Sequence, residues 1–121
     1  MEVHLFSRNL EVPESLRTYL ERKVHRLVRK YPFIRRVRAE LASEGTRSAE
    51  HRMVAEITLT CNGTLVRGEE RAATLPAAVD MAVDTLNRRL LRWKGRLYQE
   101  EKGRRVARLA NLRAQETPPE P

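Results

Sequence analysis

Asp80 and Asp84 are the only aspartates in a chain of 121 residues. Four positions apart, they share one face of a helix, where a carboxylate pair can hold a divalent cation or pass a proton. The other ligand-type side chains are His4, His25, His51 and the single Cys61. The histidines fall in separate segments with no metal-ligand spacing. One cysteine makes neither an internal disulfide nor a zinc site, and Cys61 falls in the inward register of an alternating stretch, the place of a small core residue. Gly45, Gly63, Gly68, Gly95 and Gly103 are scattered, unlike a phosphate-cradling loop. The aspartate pair reads as a solvated helix face upstream of arginines. The expectation is therefore no catalytic residue, no metal, no cofactor and no small-molecule substrate: a protein that is not an enzyme.

The 24 Lys and Arg residues, against 16 Asp and Glu, carry more information. Between Arg17 and Arg38 lie nine basic residues and one acid, Glu21; between Arg88 and Arg113 lie ten basic residues and two acids, Glu100 and Glu101. The remainder is acidic on balance, so the net charge of +8 is segregated along the chain. Twenty of the basic residues are arginine, suited to bidentate phosphate contacts and to stacking on bases. A GC-rich genome can account for the arginine-to-lysine ratio but not for two clusters. A polyanionic partner accounts for both, because each neutralised phosphate releases counterions.

The elements that position these clusters follow from periodicity. Residues 2–8 alternate, with Val3 and Leu5 on one side, and predict a strand. Pro13 and Glu14 suit a first helical turn, and Leu16, Leu20, Val24, Leu27 and Tyr31 then recur as one apolar helix face that ends at Tyr31-Pro32. Ile34 to Ala42 alternates again, with Val37, Ala39 and Leu41 on one side. Met53, Ala55, Ile57, Leu59 and Cys61 predict a third strand. Asn62-Gly63 is a hairpin signal, since both central positions of a type I′ turn need positive φ, and Leu65 to Ala72 returns as a fourth strand. Thr74 is placed to cap a last helix, with the stripe Leu75, Val79, Ala82, Leu86, Leu90, Trp93 and Leu97, running to about Lys102 with Gly103 as its stop. The fold class expected is α+β in the order β-α-β-β-β-α. It comprises a four-stranded mixed sheet with a right-handed parallel crossover and both helices packed on one face. Residues 1–103 form the domain; residues 104–121, basic and then proline-rich, read as a tail or linker.

In the first helix Arg22, Lys23, Arg26, Arg29 and Lys30 lie off the apolar seam. In the second, Arg88, Arg92 and Arg96 form a ridge at steps of four, with Arg89 and Lys94 beside it. With both seams docked on one sheet face, the two ridges are expected to stand side by side and enclose a basic groove. A salt-bridged helix surface would interleave acids at steps of four, and positions 88–99 contain none. Phe6, Tyr19, Tyr31, Phe33, Trp93 and Tyr98 are too few for a base-stacking surface, so recognition of structured RNA by shape and phosphate contacts fits better. The element order is close to that of a double-stranded-RNA-binding domain, and a generic structured-RNA-binding module is one reading of these features.

Four stretches resemble a known family. They are Val3-His4-Leu5-Phe6-Ser7, Leu10-Glu11-Val12-Pro13-Glu14-Ser15-Leu16-Arg17, the hairpin Cys61-Asn62-Gly63-Thr64-Leu65-Val66-Arg67-Gly68-Glu69, and Ala77-Ala78-Val79-Asp80-Met81-Ala82-Val83-Asp84-Thr85-Leu86-Asn87-Arg88-Arg89-Leu90. In order and spacing they are similar to the ribosome hibernation factors: hibernation-promoting factor, ribosome-associated inhibitor A and protein Y. The resemblance spans residues 1 to about 97. It implies a translation regulator that binds the small ribosomal subunit, and the 70S ribosome, in the decoding channel over the messenger and A- and P-site transfer-RNA positions. Such proteins inhibit translation in stationary or stressed cells and stabilise inactive ribosomes. Matched position by position, Lys23, Arg26, Arg29, Arg88, Arg92 and Lys94 correspond to the family's rRNA contacts. This chain departs at Thr74-Leu75-Pro76, Thr85 and Arg89. Long members add a ribosome-dimerising domain after a linker, which is expected to be absent from this chain.

No stretch approaches the ~18 uninterrupted apolar residues of a membrane helix. Met1-Glu2-Val3-His4 lacks the basic-then-apolar pattern of a secretory signal. The expected compartment is the cytoplasm, with no membrane partner.

Overall fold

The computed structural model describes the backbone of residues 2–45 and 48–116 and the side chains of residues 2–45 and 48–95. The order is β1 (Val3–Arg8), α1 (Glu14–Lys30), β2 (Ile34–Ser43), a 3-10 turn (Ala49–His51), β3 (Met53–Cys61), β4 (Thr64–Ala72) and α2 (Leu75–Glu116). The strands form one sheet in the order β1-β2-β3-β4, with β1 parallel to β2 and the other pairs antiparallel. This is the mixed α+β fold expected. Met1–Leu90 pack as one compact unit and Leu91–Pro121 as a second.

Both helices begin and α1 ends where local chemistry requires. Pro13 is extended, and its carbonyl accepts from Leu16 N (3.0 Å) and Arg17 N (3.1 Å). Tyr31 closes α1 through its N–H on the Leu27 carbonyl at 2.9 Å, ahead of Pro32. Thr74 caps α2, its Oγ1 accepting from Ala77 N at 3.3 Å. Asn62 (φ 45°) and Gly63 (φ 83°) both sit in the left-handed region and close the β3–β4 hairpin.

Two features differ from the expectation. Ile34 pairs with Cys61 while Arg36 pairs with Thr60, so Arg35 is the extra residue of a bulge, and Ile34 and Val37 both face inward three positions apart. Arg35 there donates from Nε to Asn62 Oδ1 at 3.4 Å. The second correction concerns Gly103, which does not stop α2: the helix continues to Glu116. A glycine inside a helix costs about 1 kcal/mol and does not break it, and Arg104 to Gln115 are mostly good helix formers. Pro118, Pro119 and Pro121 lie outside the described residues.

The core lies between one sheet face and the helices. Leu16, Leu20, Val24 and Leu27 of α1 and Ala78, Val79, Ala82, Leu86 and Leu90 of α2 are buried against Val37, Ala39, Leu41, Ala55, Ile57, Leu59 and Cys61. Burial in this apolar layer pushes the Cys61 thiol up from its ordinary pKa. Gly68 sets how closely α2 approaches. A Cβ there would stand 2.8 Å from the Ala82 carbonyl oxygen and 3.0 Å from Leu86 Cγ, so the missing side chain admits the helix backbone onto β4. Among the described residues no helix is long and apolar enough to cross a membrane.

Gly68→Ala is accordingly expected to destabilise the domain by about 1–3 kcal/mol, as overpacking against backbone does. Urea denaturation checks it: a lower midpoint at unchanged slope is expected, and an unchanged midpoint would show that α2 yields without cost.

Candidate nucleic-acid interface

On α1 the apolar seam leaves two polar flanks. Lys23, Arg26 and Lys30 recur at steps of three and four on the flank toward α2, and Arg22, Arg26 and Arg29 form an exposed outer ridge. On α2, Asp80, Asp84 and Asn87 occupy the flank toward α1. The two flanks border a cleft of about 190 Å³ lined by Lys23, Arg26, Leu27, Lys30, Val83, Asp84 and Asn87.

Hydrogen bonds and an ion pair span this cleft. Tyr19 donates its hydroxyl to Asp80 Oδ1, and Lys23 Nζ stands 3.1 Å from the same oxygen and 5.6 Å from the Tyr19 ring centroid. Asn87 Oδ1 accepts from Lys30 Nζ and from the Tyr31 hydroxyl, both at 3.2 Å. The Tyr19 hydrogen bond and the Lys23 ammonium hold the Asp80 carboxyl below its usual range. The same carboxylate raises the pKa values of Tyr19 and Lys23.

The expected all-basic groove is therefore corrected. Arg88 and Arg89 do not face α1; they turn toward β4. Arg89 donates to the Arg67 carbonyl. Arg88 donates to Thr85 Oγ1 at 3.2 Å, and buried Thr85 donates to Glu70 Oε1 at 2.7 Å. The reason is helical phase: 80, 84 and 87 lie on one side of the Val79–Ala82–Leu86–Leu90 stripe, and 85, 88 and 89 on the other. Acids absent from positions 88–99 are supplied to the cleft by Asp80 and Asp84, one or two turns earlier. Arg92 and Lys94 are exposed within the second unit, and the Arg96 side chain lies outside the described residues. Asn87 joins the site without having been expected there, although its place in the polar run 80, 84, 87 beside an apolar stripe is a usable signal. Among the described residues no cluster of three or more His, Cys, Asp or Glu could hold a metal.

Two helices packed on one face of a four-stranded mixed sheet, with exposed basic residues on both, define a small α+β domain. The match to known proteins is specific: residues 3–98 fit the family model described as "Sigma 54 modulation protein / S30EA ribosomal protein", and the chain belongs to that family. It is 38% identical over 106 residues to the "Ribosome hibernation promotion factor" of Deinococcus radiodurans, covering 86% of this chain and 56% of that one. With the "Ribosome hibernation promoting factor" of Azotobacter vinelandii it shares 29% identity over 107 residues, covering 88% of this chain and 95% of the relative. The chain thus spans little more than half the length of the first of these relatives and nearly all of the second. Among solved structures it is similar to the Thermus thermophilus Protein Y N-terminal domain, with a TM-score of 0.65 at 33% identity, covering 77% of this chain and 99% of that one.

The Tyr19–Asp80–Lys23 contact ties α1 to α2 at a site where the Asp80 side chain is still 43% exposed. Asp80→Asn is expected to cost about 0.5–1 kcal/mol at neutral pH. Because folding lowers the Asp80 pKa, that contribution is complete above its ordinary value of 3.8 and is lost as pH falls through the lowered folded value. Denaturation of both proteins across acid pH checks this, and the gap between them should close below that range.

Proposed function

We propose that this chain is a ribosome hibernation factor: a non-enzymatic, cytoplasmic regulator that binds rRNA of the small ribosomal subunit in the decoding channel. There it would occlude the messenger and A- and P-site transfer-RNA positions, inhibit translation and stabilise inactive ribosomes under stress or in stationary phase. Family membership and the names of the relatives support the ribosomal part of this reading. The structural observation that carries it is the α1 ridge of Arg22, Arg26 and Arg29, exposed and without a carboxylate partner among the described residues. Unpaired arginines on a rigid helix are ready phosphate ligands.

The contacts divide into three groups. Arg22, Arg26, Arg29 and Lys30 meet phosphates from α1, and Lys23 joins them by exchanging Asp80 for a phosphate. Arg88 and Arg89 act from the opposite flank of α2, toward β4. Arg92, Lys94 and Arg96 contribute from the second unit. The domain at 1–103 performs the binding, with 104–121 as a tail or linker.

Co-sedimentation tests the reading with purified chain and small subunits, empty or already carrying messenger and initiator transfer RNA. Pelleting with empty subunits and exclusion from loaded ones is expected; equal pelleting with both would place the site elsewhere. Arg22→Gln with Arg26→Gln should weaken binding and reduce the salt slope by about 1.4–1.8 units, roughly 0.7–0.9 for each phosphate no longer neutralised. Equal affinity for a plain RNA duplex would instead favour the generic structured-RNA module.

A further inference from the structure

The sheet face turned away from the helices carries a second arrangement of charge, sorted by strand register. One row across the sheet is Phe6, Glu40, Glu56 and Glu69; the next is Arg8, Ala42, Val54 and Arg71. The glutamates of these rows are neutralised, by Arg8 and Arg71 within the rows and by Arg67 of the adjoining row. Arg8 stands 3.4 Å from Glu40 and 3.7 Å from Glu44, Arg67 lies 2.9 Å from Glu56 and 3.0 Å from Glu69, and Arg71 reaches Glu44 and Glu69. Ala42 and Val54 are buried in these two rows. That half of the face is sealed.

The other half is not. Its rows are His4, Arg38, Thr58 and Arg67, then Arg36, Thr60 and Leu65. Arg36 and Arg38 are exposed and have no carboxylate partner among the described residues. They stand on one strand about 6.7 Å apart, two residues of rise, with a threonine hydroxyl opposite each. The contact Arg38 makes is with the Phe6 ring, its guanidinium carbon 4.7 Å from the centroid, and Phe6 is 48% exposed on edge strand β1. A guanidinium plane laid on an aromatic ring extends a stacking platform for a nucleobase, and flanking hydroxyls can bond phosphate and ribose oxygens.

We propose that this half-face, centred on Arg36 and Arg38 and bordered by Phe6 of the adjoining row, is a second RNA-contacting surface that takes a single unpaired strand. One base stacks at the Phe6–Arg38 pair, and the two arginines hold adjacent phosphates. It lies on the opposite side of the sheet from α1, so one domain can bridge two RNA segments. Planar stacking groups and hydroxyls favour RNA over an acidic peptide, which would engage the charges alone. The proposed surface depends on the ribosomal reading only for the source of the strand.

The test measures binding of full-length chain to an oligouridine of about ten nucleotides by fluorescence anisotropy across a salt series. Arg36→Gln with Arg38→Gln is expected to reduce the salt slope by about 1.4 units, roughly 0.7 for each single-strand phosphate no longer neutralised. Phe6→Ala should weaken binding about fivefold or more. Both variants should melt as the unsubstituted chain does, and Arg22→Gln with Arg26→Gln should leave oligouridine affinity nearly intact while weakening small-subunit binding. An unchanged slope and affinity in the Arg36/Arg38 variant overturns the proposal, as does loss of oligouridine binding confined to the α1 variant. Oligoglutamate bound at this face in place of oligouridine would assign it to an acidic protein segment and also overturn it. Failure of the ribosomal reading would appear separately, as oligouridine binding that persists with no pelleting on small subunits.

Discussion

Helix α2 can lie where it does because β4 presents a glycine beneath it. At Gly68 the sheet backbone and the Ala82 carbonyl come closer than any Cβ would allow, and this contact limits both the depth of α2 and its rotation about its own axis. The buried run Ala78, Val79, Ala82, Leu86 and Leu90 holds the same rotation along the helix. Once it is fixed, the destinations of the polar residues are no longer independent. Asp80, Asp84 and Asn87 must face α1, while Thr85, Arg88 and Arg89 must face β4. The cleft that could have been uniformly cationic therefore contains carboxylates.

Placed in three dimensions, the charge segregation of the chain sharpens. Four of the acids, Glu40, Glu44, Glu56 and Glu69, are gathered on one half of the open sheet face, where Arg8, Arg67 and Arg71 neutralise them. Asp80 neutralises Lys23. Exposed ion pairs of this kind contribute little each to stability, about 0–1 kcal/mol, but they decide which cations are left over. Arg22, Arg26 and Arg29 on α1, and Arg36 and Arg38 on β2, are among the exposed cations of the first unit left without a carboxylate partner among the described residues. A partner rich in phosphate meets these without first displacing a carboxylate.

Most of the architecture was legible because it is written in local periodicity. The Leu16–Leu20–Val24–Leu27 stripe, the alternation through β3, Asn62-Gly63 and the Thr74 cap each specify geometry within a few residues. Three things were not legible, for different reasons. An apolar stripe has two flanks, and nothing in its period says which neighbour lies beside each, so Arg88 and Arg89 were expected in a groove they do not line. The β2 bulge breaks strict alternation at Arg35, where inward Ile34 had no in-register partner in the pattern. Gly103 is a helix stop only when its context offers something better than helix, and Arg104 to Gln115 do not.

The carboxylates in the cleft bear on how a phosphate backbone can approach. A phosphate entering between the helices would meet Asp84 and would have to separate Lys23 from Asp80, recovering one ion pair for the one it breaks. A phosphate on the outer ridge breaks nothing and gains a charge-assisted hydrogen bond in a partly desolvated interface. The electrostatic term therefore favours contact along the shoulders of the domain rather than insertion between its helices. Asn87, bonded to both Lys30 and Tyr31, keeps one cleft lysine oriented without neutralising it. On the proposed reading, separated cationic patches on opposite sides of the sheet suit an RNA site that surrounds the domain better than a flat duplex.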